Sequence, residues 1–195
     1  MLSDEMKNWL AQFEQDQYTD SNGFFRLPYK GNSPELLISS FDKLPFVKFD
    51  KIKQTIYTSI PFFEGGFHYQ ALEKGCWVIY TNLKYKANVC FDLLRDPTVE
   101  HNYYMLSLNV ITPKAFVYEE FSDRKITFPK YSWTFAKPTE DSHIKHMDLN
   151  FAGAENRFVT LYFNEEWFQN NLADNSLFCE SKLNDFFQSE KRFLY

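Results

Sequence analysis

Apolar and polar residues alternate along most of this chain, and the period changes only near its two ends. The alternation is cleanest between Tyr103 and Val110. Tyr104, Leu106, Leu108 and Val110 fall on one side there, and Tyr103, Met105, Ser107 and Asn109 on the other, as in a half-buried strand. Shorter runs at 24–29, 36–41, 46–49, 54–60, 67–72, 76–83 and 89–95 read as strands before it, and runs at 116–121, 125–128, 132–137, 144–149 and 158–163 after it. Breaks such as Gly65-Gly66 and Asp96-Pro97-Thr98 separate them. Many short strands at spacings of about ten residues predict an antiparallel roll or barrel rather than a parallel sheet with crossover helices.

Helical spacing is confined to the termini. Met6, Trp9, Leu10 and Phe13 stand at i, i+3, i+4 and i+7 behind Ser3, which predicts a short amphipathic helix ended by Asp20-Ser21-Asn22-Gly23. A strand-to-helix switch is written at 163–168. Asn164 is suited to the N-cap, Glu165 and Glu166 put negative charge at the positive end of the dipole, and Phe163 and Phe168 stand at the two positions of a hydrophobic staple. A second helix is expected from Ser176, with Cys179, Leu183, Phe186 and Phe187 on one face. The resulting division is a helix and turn over 1–22, a barrel over 23–163 and helices over 164–195, all within one domain.

Composition narrows the function classes. Aromatic residues make up 19% of the chain, with 22 Phe and 12 Tyr, which favours strands and suits the lining of a pocket. The net charge of −5 argues against a phosphate-binding surface, since duplex affinity comes mainly from Lys and Arg. Cys76, Cys90 and Cys179 form no disulfide framework and read as reduced thiols. The acidic segment 1–17 lacks the apolar core of a signal peptide, and no apolar run approaches the roughly 20 residues of a membrane span. A soluble, cytoplasmic protein is expected.

No catalytic or metal pattern stands out. His143 and His146 are spaced His-x-x-His, which on a strand aims the two rings to opposite faces, and neither His68 nor His101 has a partner at ligand spacing. Asp141-Ser142-His143 has the residue types of a triad but not the arrangement, which is spatial rather than sequential. Gly65-Gly66 precedes neither Lys nor Ser, so a bulge or turn is expected there and not a phosphate loop. Cys90 reads as a small core residue. The expectations are no metal, no cofactor and no hydrolase or oxidoreductase activity. Phe67, Tyr69, Trp77, Phe91, Tyr104 and Trp133 are placed by alternation to face the barrel interior and line a small-molecule pocket.

Four blocks resemble a known family: Gly75-Cys76-Trp77-Val78, the run 103–109, Trp133 with Lys137-Pro138, and the run from Tyr162 to Trp167. Across about 24–187 the chain is similar to the N-terminal effector-binding and dimerisation domain of AraC-type bacterial transcription regulators. That resemblance implies a mainly β fold, an antiparallel cupin-like jelly-roll barrel with a short N-terminal helix and two C-terminal helices. It further implies a small-molecule effector in the barrel and a homodimer held through Cys179, Leu183, Phe186 and Phe187. DNA would be contacted only by a helix-turn-helix part, which this chain lacks. A stand-alone small-molecule carrier or a cupin-type enzyme is the alternative.

Overall fold

The computed structural model describes residues 23–31, 33–42, 46–94, 103–111, 115–119, 124–127, 131–138, 146–179, 181–191 and 193–194, with isolated positions 4, 7, 8, 96 and 98. Most of the expected N-terminal helix, including Met6, Trp9, Leu10 and Phe13, lies outside the described residues, as do His101 and His143.

In chain order the elements are β1 (Phe25–Lys30), α1 (Pro34–Asp42), β2 (Val47–Asp50), β3 (Thr55–Ser59), β4 (Phe63–Glu73), β5 (Cys76–Tyr85), β6 (Val89–Leu94), β7 (Tyr103–Ile111) and β8 (Ala115–Glu119). They continue with β9 (Arg124–Thr127), β10 (Tyr131–Ala136), β11 (His146–Asn150), β12 (Glu155–Asn164), α2 (Glu165–Asn171), α3 (Ser176–Cys179), α4 (Lys182–Gln188) and β13 (Phe193–Leu194). The strands form two sheets among the described residues. One runs β1-β6-β11-β8-β9, the other β13-β10-β7-β12-β5-β4-β3-β2. Strands β5 to β12 therefore split into β5-β12-β7-β10 and β6-β11-β8-β9, the interleaved order of an eight-stranded jelly roll. The molecule is mainly β and cupin-like.

The structure departs from the sequence expectation in several places: Gly65-Gly66 lies within β4 instead of breaking the chain, and the helix expected from Ser176 is two, α3 and α4. The run at 36–41 is helix α1, not a strand. Its signals are Ser33, whose Oγ accepts from the Leu36 amide at 3.1 Å, then Pro34 at the first helical position and Glu35 behind it. The pairing of β1 with β6 is parallel, while the other ladders are antiparallel. The apolar residues at 193–194 form β13, pairing Leu194 with Phe135 at the edge of β10. No described helix is long and apolar enough to cross a membrane.

Register assigns the faces. Phe25, Leu27 and Val89 of one sheet and Phe63, Leu83 and Tyr85 of the other share one buried cluster, so these positions face inward. Cys76, Phe135, Phe163, Phe168 and Phe186 form a second cluster. Cys76 and Phe163 are cross-strand partners on the opposite face, so this cluster lies outside the barrel, under the C-terminal helices. Arg26 Nε and Asp92 Oδ2, 2.7 Å apart, tie β1 to β6.

Candidate functional site

The strand-to-helix switch holds as written. Asn164 is extended at φ −87° and its Oδ1 accepts from the Trp167 amide at 2.9 Å. Phe163 and Phe168 stack with ring centroids 6.3 Å apart. Gly75, at φ +78°, makes room for this cap, because a Cβ there would lie 2.4 Å from Asn164 Oδ1. The Gly75 carbonyl also accepts the Asn164 amide at 2.9 Å. Lys74 pairs with Glu166 at 3.0 Å, and Trp167 Nε1 donates to Glu73, so the β4–β5 turn grips the start of α2.

Inside the barrel, three adjacent strands turn polar side chains inward. Thr160 on β12, Ser107 on β7 and Thr134 on β10 are consecutive cross-strand partners. Asn109 and Ser132 form the next such pair. Ser107 Oγ and Thr160 Oγ1 are 2.8 Å apart, and Asn109 Nδ2 donates to Ser132 Oγ at 3.4 Å. Asn156, further along β12, donates to Asn150 Oδ1 of the other sheet at 2.6 Å. Thr81, Asn150, Asn156 and Thr160 are buried, whereas Ser107, Asn109, Ser132 and Thr134 are half-buried. Two buried polar atoms, Thr134 Oγ1 and Asn156 Oδ1, have no hydrogen-bond partner among the described residues. Unpartnered polar atoms of this kind are uncommon in folded interiors. The arrangement suits a neutral organic molecule with hydroxyl or amide groups.

The rim of this surface is built with α1. Tyr103, on the inward face of β7, donates its hydroxyl to Glu35 of α1 at 3.2 Å. Burial, and then the Glu35 charge, push the Tyr103 phenol up to about 12, and a hydrogen bond with Trp77 works against that rise. Tyr69 is also raised by burial, then by Asp42 and Asp50. Phe41 of α1 meets Phe67 at 4.9 Å, and Phe49 meets Tyr69 at 6.0 Å.

Of the six aromatics expected to line a pocket, Phe67, Tyr69 and Trp77 stand on the inward face beside α1. Phe91 is also inward but is packed against Phe63 and Tyr85, at 5.5 and 6.2 Å, within the inner cluster. Tyr104 and Trp133 are corrections. Register pairs Tyr104 with Phe163 and Trp133 with Leu108, all on the outer face. Their strands alternate as expected, but the more apolar side faces outward, where the C-terminal helices cover part of it. Sequence reasoning missed the inner polar band. Its signal was present: Ser107 and Asn109, Ser132 and Thr134, and Asn156 and Thr160 occupy like positions on three strands.

The helical stripe is turned largely onto its own barrel. Phe186 is buried and meets Phe135 at 5.6 Å, and Leu183 and Phe187 pack against the same cluster. Lys137 Nζ donates to the carbonyls of Phe187 and Ser189 at 2.9 and 2.5 Å, satisfying the end of α4, and sits 4.6 Å over the Phe186 ring. Cys179 is exposed, unlike the buried Cys76 and Cys90. Burial, and then Glu73, raise the Cys76 thiol above its ordinary value.

The cupin-like architecture invites a test for metal. Among the described residues no group of three His, Cys, Asp or Glu side chains is placed to hold an ion. The inward positions of β12, β7 and β10 carry hydroxyls and amides, which are poor ligands for a transition metal. The described residues do not fit such a group.

No family model and no curated protein matches the sequence. Among solved structures, the chain is similar to the EutQ protein of Clostridium difficile, at 13% identity and TM-score 0.34, over 64% of this chain and 86% of that one. It is similar to ectoine synthase from P. lautus, at 13% identity and TM-score 0.34, over 60% and 72%. It is also similar to KdgF from Halomonas sp., at 12% identity and TM-score 0.30, over 50% and 87%. These likenesses are remote, and the jelly-roll assignment rests on strand order and register. They do correct one expectation. Ectoine synthase is an enzyme by name, so the expectation that this chain is not an enzyme is withdrawn.

Proposed function

We propose that this chain is a small-molecule-binding jelly-roll domain that serves as the sensor part of an AraC-type transcription regulator. Its ligand is a neutral, hydrogen-bonding molecule held against Ser107, Thr160 and Thr134, with Trp77 and Tyr103 at the rim. One observation carries the reading. The three strands that present the polar band inward present Phe163, Tyr104 and Phe135 outward, as the seat of the C-terminal helices. A shift of β7 against β12 on ligand binding is therefore felt directly by α2 and α4. Control of a DNA-binding part through those helices, and the pairing of two copies, come from the resemblance.

The test begins with a thermal-shift screen of neutral polyfunctional molecules and continues with calorimetry on the best one. Ser107→Ala and Thr160→Val are expected to fold and to weaken binding about tenfold each, the effect of one lost hydrogen bond to a ligand. Amide exchange should slow in α2 and α4 when the ligand is added. Binding without that slowing favours a stand-alone carrier, and binding unaffected by either variant removes the site from the inner face. Sedimentation at high micromolar concentration tests the pairing, a monomer counting against it. Two helix-turn-helix patterns in the coding sequence after Tyr195 would support the regulator.

A further inference from the structure

Helix α1 connects the two sheets: it follows β1, at the edge of the smaller one, and precedes β2, at the edge of the larger. Two contacts tie it to the inward face of the larger sheet. Glu35 accepts from the Tyr103 hydroxyl of β7 at 3.2 Å, and Phe41 meets Phe67 of β4 at 4.9 Å. Strands β12 and β5 lie between β7 and β4, so the contacts are three strand spacings apart, about 14 Å. They also differ in level. Tyr103 stands opposite Asn164, whereas Phe67 is level with Phe158 through Thr81, roughly 20 Å away along β12. The line between them runs diagonally over the inner wall, across the levels of Trp77 with Tyr162 and Ile79 with Thr160. The seat of α1 is slight. Of its nine residues only Pro34 is buried, and Glu35, Ser39 and Asp42 are exposed. A helix this short is not stable in water by itself, and one that buries so little apolar surface opens at a small fraction of the cost of global unfolding.

We propose that α1 is a strap across the inner face, latched by Tyr103 and Glu35, whose local opening gives access to Thr160 and the polar band beside it. Strands hold the chain on both sides, so α1 opens in place rather than swinging clear. Opening releases Phe67 and Tyr103 together, because both are held by the one helix. The strap takes from the functional reading only that a molecule enters, and its test uses no ligand.

Amide exchange of the full chain, followed by mass spectrometry, tests this first. The amides of α1 are expected to exchange at least about 100-fold faster than those of β5. Tyr103→Phe removes the latch and should speed α1 about fivefold, the effect of one hydrogen bond, with β5 and β12 unchanged. Access is read from a buried thiol. Ile79 faces inward at 3% exposure, so the thiol of Ile79→Cys meets iodoacetamide only when the inner wall is uncovered. Its alkylation should quicken about fivefold when Tyr103→Phe is added, while that of Cys90, on the other side of β6 from inward-facing Val89, stays the same. If Ile79→Cys does not fold, the exchange comparison decides alone. Exchange of α1 in step with β5, no response to Tyr103→Phe, or alkylation at the pace of β5 exchange overturns the proposal. An inner face that binds nothing would overturn the functional reading and leave these outcomes unchanged.

Discussion

Among the described residues two apolar clusters stand back to back across one sheet, and they are built differently. The inner one draws on both sheets and mixes aliphatic with aromatic residues, including Leu27, Leu83, Val89, Phe25 and Phe63. The outer one uses one sheet only, with Cys76, Phe135 and Phe163 covered by Phe168 and Phe186 from the helices. Where those helices end, the described residues leave the outer face open. Tyr80, Val159, Leu108 and Trp133 are cross-strand neighbours in one row over four strands, and they are 36%, 39%, 59% and 39% exposed. The inner cluster is closed by the topology of the roll. The outer cluster exists only because the chain turns back after Asn164.

The comparison predicts which cluster yields first. Phe163→Ala is expected to have the largest effect, about 3–5 kcal/mol, since a buried ring leaves a cavity that its neighbours fill poorly. It should release the helices first, seen as accelerated amide exchange in α2 and α4 ahead of β5. Leu83→Ala, at about 2–5 kcal/mol, should accelerate exchange in both sheets together. Identical exchange patterns in the two variants would show one cooperative core instead of two.

The junction between the clusters is the next lever. Gly75→Ala forces a left-handed backbone on alanine and a clash with Asn164, and should cost about 1–2 kcal/mol in urea unfolding. Asn164→Ala should cost about 1 kcal/mol through the lost cap. The double variant should cost less than the sum, because the clash vanishes with the amide. Strict additivity would separate the glycine from the cap.

Alkaline pH addresses the rim of the inner site. The Tyr103 phenol is raised in the folded state, so its neutral form is favoured by folding. That contribution is complete below the ordinary tyrosine value of about 10 and is lost as the pH rises through about 12. Tyr103→Phe should flatten the fall in stability over that window and remove one high-pH step from the phenolate absorbance titration. An unchanged titration would place the shifted phenol elsewhere. The smallest effect is expected on the bare row. Trp133→Ser should change stability by less than about 1 kcal/mol, because the indole is already partly in water. A cost near that of Phe163→Ala would mean the row is covered in solution.

Much of this was legible in the residues. The strand set, the cap at Asn164 and the staple of Phe163 on Phe168 depend on neighbours a few positions apart, and local chemistry decided them. So did Ser33-Pro34-Glu35, where helix signals stood in plain order but the apolar run behind them reads equally well as a strand. Alternation on β7 likewise separated Tyr104, Leu106 and Leu108 from Tyr103, Ser107 and Asn109. Which of those faces is the inside was not in the strand. An apolar face must be covered, but a second sheet and a pair of returning helices cover it equally well, and only tertiary packing chose between them. The chain put hydroxyls and amides inside the roll and aromatics under the helices, because a face left half-polar between two sheets keeps its hydrogen bonds within the barrel, while the apolar face found its partners in residues after Asn164.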